Sequence, residues 1–325
     1  MNVIKKPRKP SIKLRQLEAI LRRLNTNHPR RKDVEEDFFK ARAGYKGEQQ
    51  LDYDLSFLRD HEFLILSDLR LPHQDKYFQL DSLLISPTFF LHIDAKHLSG
   101  KIEIEHTLGQ MKRIRLNNEE DVYSDPTLQI KRHELQLREW MQVNKHPLLP
   151  FESLVVFTHP NAYVKISNGH PYRRRIIKNS LVTDRINELQ EKFHHALFSK
   201  KELQRISRQL IKQHTPPWED LLSKYRIKTD DILTGVICPE CGVTPMIRMH
   251  SKWLCHNTSC NFSNRKCHLA ALTDYALIFG PSITNPQLRK FLHIASVYTA
   301  NRILTSLKYL YAGEGPHRVY HLPLE

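Results

Sequence analysis

The stretch QLDSLLISPTFFLHIDAK, residues 79–96, decides the fold. Two apolar runs of strand length flank Pro87-Thr88, so residues 79–86 and 89–96 predict a β-hairpin. In a hairpin centred on that dipeptide facing residues have numbers that sum to 175, and Asp81 faces Asp94. Lys96 lies two residues beyond Asp94 and shares its face. Pro87 cannot take the positive φ of a tight two-residue turn, so the loop is expected to hold four residues, which keeps the same centre. Two carboxylates and an ammonium then converge at the open end of the hairpin. Facing acids among apolar strands repel each other and are costly to bury, and a divalent cation relieves both problems. Mg²⁺ suits the set, because it takes a few carboxylates together with waters and phosphate oxygens. The competing reading is a surface hairpin with weak ion pairs.

Upstream, Ala41, Gly44, Glu48, Leu51, Leu55 and Leu58 form one stripe of a helix expected over 34–58. A lone carboxylate on such a stripe needs a partner, which makes Glu48 the natural third acid. Gly44 and Gly47 weaken the helix by about 1 kcal/mol each, and are expected to let another backbone come close beside Glu48. Downstream, residues 62–71, 77–86, 89–96, 101–105 and 112–116 are expected as strands of one sheet. A helix over 127–141, entered through Ser124-Asp125-Pro126, and a strand over 154–158 complete an α/β domain.

Gly44-Tyr45-Lys46-Gly47-Glu48, Leu80-Asp81, Ile93-Asp94-Ala95-Lys96, Gly100, and Asp125-Pro126 with Gln129 together resemble the nuclease-related domain, over roughly residues 35–165. That family is similar to the PD-(D/E)XK nuclease superfamily. The resemblance implies a restriction-endonuclease-like mixed sheet flanked by helices, with Glu48, Asp81 and Asp94 as Mg²⁺ ligands. It also implies that Lys96 is the catalytic lysine and that Gln129 faces the site from a helix. The family usually has Glu where this chain has Asp94, and the shorter side chain withdraws the carboxylate by roughly 1.5 Å. Misplacement on that scale bears on rate, on the order of a hundredfold. His92 and His97 are expected off the face of Lys96 or beyond it, in structural or phosphate-contacting roles.

All five cysteines lie between Cys238 and Cys267. Cys238 and Cys241 are followed after thirteen residues by Cys255 and after four more by Cys260, the spacing of two knuckles that close a tetrahedral Zn²⁺ shell. The segment resembles a zinc ribbon, with Gly242 in the tight turn of the first knuckle. With no open position its metal is structural. Cys267 is expected as a small buried residue. Arg248, Lys252, Arg265 and Lys266 with Trp253 and Phe262 suit either stacking on bases or a small core.

Thr284-Asn285-Pro286-Gln287 predicts a helix start, and Ser296 caps a second helix in which Ala300, Ile303, Leu304 and Leu307 point inward. A short hairpin through Gly313 and Gly315 follows. The pattern looks like a winged helix-turn-helix, with Arg302, Lys308 and Arg318 as nucleic-acid contacts; a helical packing module is the other reading.

Residues 1–32 carry eleven Lys or Arg and one acid, Glu18, with Leu14, Leu17, Leu21 and Leu24 at helical spacing. They read as a basic helix that either packs on the next domain or contacts phosphate. The net charge of +15 favours a polyanionic partner, with nucleic acid, DNA above all, the first candidate and an anionic membrane the second; no apolar run is long enough for a spanning segment, and no membrane partner is expected. The expected location is cytoplasmic. The expected domains are the basic helix 1–32, the nuclease-related domain 33–185, a helical linker 186–231 broken at Pro216-Pro217, the zinc ribbon 232–268 and the winged-helix-like module 269–325. Together these predict a Mg²⁺-dependent nuclease acting on DNA. The alternative is a catalytically inactive nuclease-like DNA-binding or regulatory protein.

Overall fold

The computed structural model describes residues 3–58 and 63–324, so Met1, Asn2 and Glu62, the first residue of an expected strand, lie outside the described residues. The chain divides into two compact units, Met1–Ser11 with Arg42–Pro216, and Ile12–Ala41 with Pro217–Glu325. Along the chain run β1 (Val3–Lys6), α1 (Ile12–Arg23), α2 (Arg31–Leu55), β2 (Leu64–His73), β3 (Lys76–Ile85) and β4 (Phe90–Lys96). After them come β5 (Gly100–Glu105), β6 (Gln110–Ile114), β7 (Glu120–Ser124), α3 (Pro126–Val143), β8 (Phe151–Phe157), β9 (Ala162–Ile166), β10 (Ile176–Lys178), α4 (Val182–Lys192) and α5 (Lys200–Gln213).

In the first unit β1-β2-β3-β4-β8-β10 form a six-stranded mixed sheet. The β2/β3 and β3/β4 pairs are antiparallel, whereas β1/β2, β4/β8 and β8/β10 are parallel. Apolar side chains cover both faces. Leu83, Ile85 and Phe90 pack with Leu137 and Trp140 of α3 and with Leu203, Ile206 and Leu210 of α5. Leu84, Leu91 and Ile93 pack with Leu51 and Leu55 of α2 and with Ile186 and Leu189 of α4. Burial on both faces explains why these strands read as nearly continuous apolar runs.

The strands expected in one sheet divide between two, since β7-β6-β5-β9 form a separate four-stranded sheet. Gly100 stands at the break. Its φ of +96° turns the chain out of β4, and a Cβ there would meet the Ile114 carbonyl oxygen at 2.3 Å. The N-terminal segment also differs from expectation, because Val3, Ile4 and Lys6 pair along β2 before α1 begins. Residues 186–231 are not a separate linker. α5 buries Leu203, Ile206 and Leu210 in the first unit, and the chain leaves that unit at Pro216.

The second unit contains α1, the start of α2, α6 (Leu221–Tyr225), β11 (Ile247–Met249), β12 (Lys252–Leu254), β13 (Ser263–Asn264) and α7 (His268–Phe279). It ends with β14 (Ser282–Thr284), α8 (Asn285–Leu292), α9 (Val297–Ser306), β15 (Tyr311–Ala312) and β16 (Val319–His321). Leu17, Ile20 and Leu24 of α1 and its C-terminal flank pack with Leu222, Ile232 and Leu277, so the basic helix is a core element. The buried Arg23 guanidinium lies 2.7 Å from Asp274. Two three-stranded sheets, β11-β12-β13 and β14-β16-β15, follow in sequence. Trp253, Tyr275, Phe291 and Tyr320 share one core, so the segments expected as separate domains at 232–268 and 269–325 are packed together. Among the described residues no helix is long and apolar enough to cross a membrane.

Candidate active site and cysteine cluster

The β3/β4 register runs from Ser82↔Ile93 to Ile85↔Phe90. A four-residue turn closes it, with Ser86 N–H donating to the Phe89 carbonyl at 3.1 Å and the Ser86 hydroxyl accepting from the N–H groups of Thr88 and Phe89. Beyond Ser82 the backbone pairing with β4 stops. In its place the Asp81 carboxylate accepts the Ala95 N–H at 3.0 Å, which fixes it beside Asp94 and Lys96. Side-chain alternation along β3 also breaks here, since Leu80 and Leu83 pack in the same core. The Lys96 ammonium lies 2.7 Å from Asp94 Oδ2 and donates to Gln129 Oε1 at 3.1 Å. Gln129 comes from the first turns of α3, whose N-cap Asp125 accepts from the N–H and hydroxyl of Thr127.

Glu48 reaches the same pocket from α2, but its Oε2 is held at 2.8 Å by Arg8, a residue that sequence reasoning missed. The Arg8 side chain is only 2% exposed. Its Nε and Nη2 grip both oxygens of Asp52 at 2.8 and 3.1 Å, and Nη1 also meets Asp68 Oδ1 at 3.3 Å. Nη2 further donates to the Asp81 carbonyl and the Ser82 hydroxyl. Asp68 lies on β2 between the partners of Ser82 and Leu80, at a φ of +51°. Nothing local marks Arg8 among eleven basic residues; the available signal was the surplus of acids at 48, 52, 68, 81 and 94.

That surplus sets the electrostatics. Burial, reinforced by the Asp81 charge, pushes Glu48 up to about 8 despite Arg8. Burial likewise pushes Asp94 up to about 7, with Asp81 adding to the rise and Lys96 opposing it. Burial alone would lower Lys96, but the charges of Asp94, Asp81 and Glu48 outweigh it and hold the amine as an ammonium. The site therefore has more negative charge than its own cations compensate. Its donors are hard oxygens, which fit a Mg²⁺-type ion. Among the described residues the three acids are not a set whose oxygens all lie within 4.8 Å, as the four cysteines and the group His106, Asp125 and His170 are. An ion that retains several waters does not require that closeness.

Gly47 does admit a close approach, but of side chains and not of the expected backbone. A Cβ there would lie 2.4 Å from His97 Cβ and 2.7 Å from Thr158 Oγ1, whereas the space at Gly44 is open. His97 is close to Thr158, with Nδ1 3.0 Å from its hydroxyl. The expectation for His92 requires correction. Residues 92, 94 and 96 alternate to one face, and buried His92 lies on the α3 side with its ring 5.3 Å from that of His133. Burial keeps both imidazoles well below their ordinary values, hence neutral.

His170 Nε2 and His106 Nδ1 lie 3.1 and 3.7 Å from Asp125 Oδ2. The Tyr172 N–H donates to His170 Nδ1 at 3.1 Å, which places the ring proton on Nε2. Metal at Nε2 would leave the ring with no proton on either nitrogen, so the contact suits a clamp on the α3 cap better than an ion site.

In the second unit Cys238, Cys241, Cys255 and Cys260 converge. Sγ separations of 3.8 Å for Cys238–Cys260 and 3.5 Å for Cys241–Cys255 approach the roughly 3.8 Å edge of a tetrahedron with Zn–S bonds near 2.3 Å. Gly242, at a φ of +72°, donates its N–H to the Cys238 carbonyl and closes the first knuckle. The Val243 N–H draws the Cys241 thiol down to about 7, toward the thiolate that a metal binds. These four thiols could hold zinc, and Cys267 is outside their set. Arg302 and Lys308 are exposed on α9 and just after it, while Arg318 stacks on Tyr311 with its guanidinium carbon 4.2 Å from the ring centre.

Residues 43–158 match the family model described as the nuclease-related domain. That range contains Glu48, Asp52, Asp68, Asp81, Asp94, Lys96 and Gln129, and it leaves out Arg8 and the cysteines. No curated protein and no solved structure matches the chain. Residues 43–158 are thus similar to the nuclease-related domain.

Proposed function

We propose that the protein is a Mg²⁺-dependent nuclease that hydrolyses phosphodiester bonds in DNA. The observation that carries this reading is the junction at Asp81, where two neighbouring strands bring Asp81, Asp94 and Lys96 together with Gln129. Bound Mg²⁺ would supply positive charge to the phosphodiester oxygens and to the attacking water. Asp81 and Asp94, with Glu48, would hold the ion. Lys96 is already protonated and does not act as a base. Its ammonium, aimed by Asp94 and Gln129, orients the water and offsets the charge that builds on phosphorus-bound oxygens as the P–O bond breaks. The mixed sheet with helices on both faces agrees with a restriction-endonuclease-like fold.

In this reading the four cysteines bind structural Zn²⁺ in a zinc ribbon. The order α7-β14-α8-α9-β15-β16 corresponds to a winged helix in which Arg302, Lys308 and Arg318 contact DNA. In the nuclease-related unit, Arg205, Arg208 and Lys212 line an open groove of about 580 Å³ on α5, a further surface for phosphates.

Two observations favour a second reading, a nuclease-like protein that binds DNA without cutting it. Arg8 occupies one oxygen of Glu48, and Asp94 is a shorter ligand than the Glu usual in the family. Cleavage of linear, circular and single-stranded DNA and of RNA in Mg²⁺ separates the two. The unmodified protein should cut DNA, with Asp81→Ala and Lys96→Ala each lowering the rate at least a hundredfold, about 2.7 kcal/mol or more of transition-state stabilisation. Binding without cleavage by the unmodified chain would establish the second reading.

A further inference from the structure

We propose that Arg8 is a built-in cation that fills one half of the acid cluster, so that the nuclease-related unit takes one divalent ion, at Asp81 and Asp94, and not two. This rests on the reading above, in which Asp81 and Asp94 hold such an ion.

The cluster has two lobes. In one, Asp94 and Asp81 lie beside Lys96. In the other, Glu48, Asp52 and Asp68 surround the Arg8 guanidinium at 2.8 to 3.3 Å. Five carboxylates therefore gather around Arg8 and Lys96, with Lys6 beside Asp68, and three of the five pair with Arg8, Glu48 through Oε2 alone so that its Oε1 is left for the ion. Oxygen donors from three side chains around a single positive centre are what a hard divalent ion would otherwise use. Here a guanidinium holds that place, with every N–H directed at an oxygen of Glu48, Asp52, Asp68, Asp81 or Ser82. No donor remains for a substrate phosphate, so Arg8 is a positioning residue and not a phosphate clamp.

Its delivery is also built into the fold. β1 runs parallel along β2, and Lys6 Nζ donates to the carbonyls of Ser67 and Asp68, which fixes the strand beside the residue that Arg8 pairs with. Held in this way, Arg8 fixes Glu48 by Oε2. It also lowers the net charge near Asp81 and Asp94, which favours a single ion that keeps its waters over a bridged pair.

The test is a Mn²⁺ titration of the full-length, zinc-loaded protein, with free Mn²⁺ read by electron paramagnetic resonance at pH 8.5. The unmodified chain should bind one Mn²⁺ that Asp81→Ala abolishes, and Arg8→Met should bind two. Arg8→Lys, which keeps the charge, should return the count to one. If Arg8→Met does not fold, millimolar Mn²⁺ should restore its native circular dichroism, because the ion replaces the missing cation; failure to restore it overturns the proposal. One Mn²⁺ in folded Arg8→Met, or two in the unmodified chain, overturns it as well. No Mn²⁺ sensitive to Asp81→Ala in any variant sinks the nuclease reading itself.

Discussion

Asp94 is fully buried, and its carboxyl ionises only near pH 7, while Glu48 ionises near 8. Between the ordinary carboxylate range and those values the native state binds more protons than the unfolded chain. Stability therefore falls as pH rises through this window, by up to about 1.4 kcal/mol per pH unit for each such group. In the absence of divalent cations the melting temperature should decline from about pH 6.5 to 8, above the range in which buried, neutral His92 and His133 act in the opposite sense, and Asp94→Asn should flatten that decline. An unchanged slope in Asp94→Asn would show that Asp94 is not the group responsible. Because a divalent ion competes with these protons, Mn²⁺ affinity should rise over the same interval.

At the scale of the element, α2 has two glycines with different consequences. Gly47 lies against His97 and Thr158, so Gly47→Ala should force the helix outward and lower stability by about 1–3 kcal/mol. On the proposed function it should also slow cleavage, because the next residue is Glu48. Gly44 meets nothing within 4 Å, and Gly44→Ala should stabilise by up to about 1 kcal/mol with the cleavage rate intact. Paired thermal melts and rate measurements decide; equal losses in both would contradict the close approach. The sequence showed that a glycine beside Glu48 mattered but not which one, since spacing says nothing about what lies opposite. The hairpin register was legible because Pro87 limits the turn and apolar runs limit the strands. The division into two sheets was not, because an isolated Gly100 carries no sign of whether the chain continues a sheet or leaves it. Arg8 was hidden for a related reason: its partners lie 40 to 74 residues away.

At the scale of the whole molecule, the cysteines and the C-terminal helices share a core around Trp253 and Phe291. If the four thiols hold zinc as proposed, removing it with a chelator, or Cys241→Ser, should therefore loosen more than the knuckles. Hydrogen exchange is expected to accelerate across residues 236–322 and to stay slow across β2, β3 and β4. Loss of protection confined to residues 238–260 would show that the helices fold without the metal. The cysteine spacing made this cluster readable in the sequence. The merging of the two expected C-terminal domains was not readable, because apolar residues in a short helix do not reveal which neighbour they cover.

The strand that leads into Arg8 ends more than thirty residues before the family-matched range. A fragment trimmed to residues 43–158 would leave Glu48, Asp52 and Asp68 facing one another without their counterion and would bare the edge of β2 that β1 covers. Such an excised piece would also lose α4 and α5, each of which covers a sheet face. Poor folding or altered ion uptake by that fragment would thus describe the cut and not the protein.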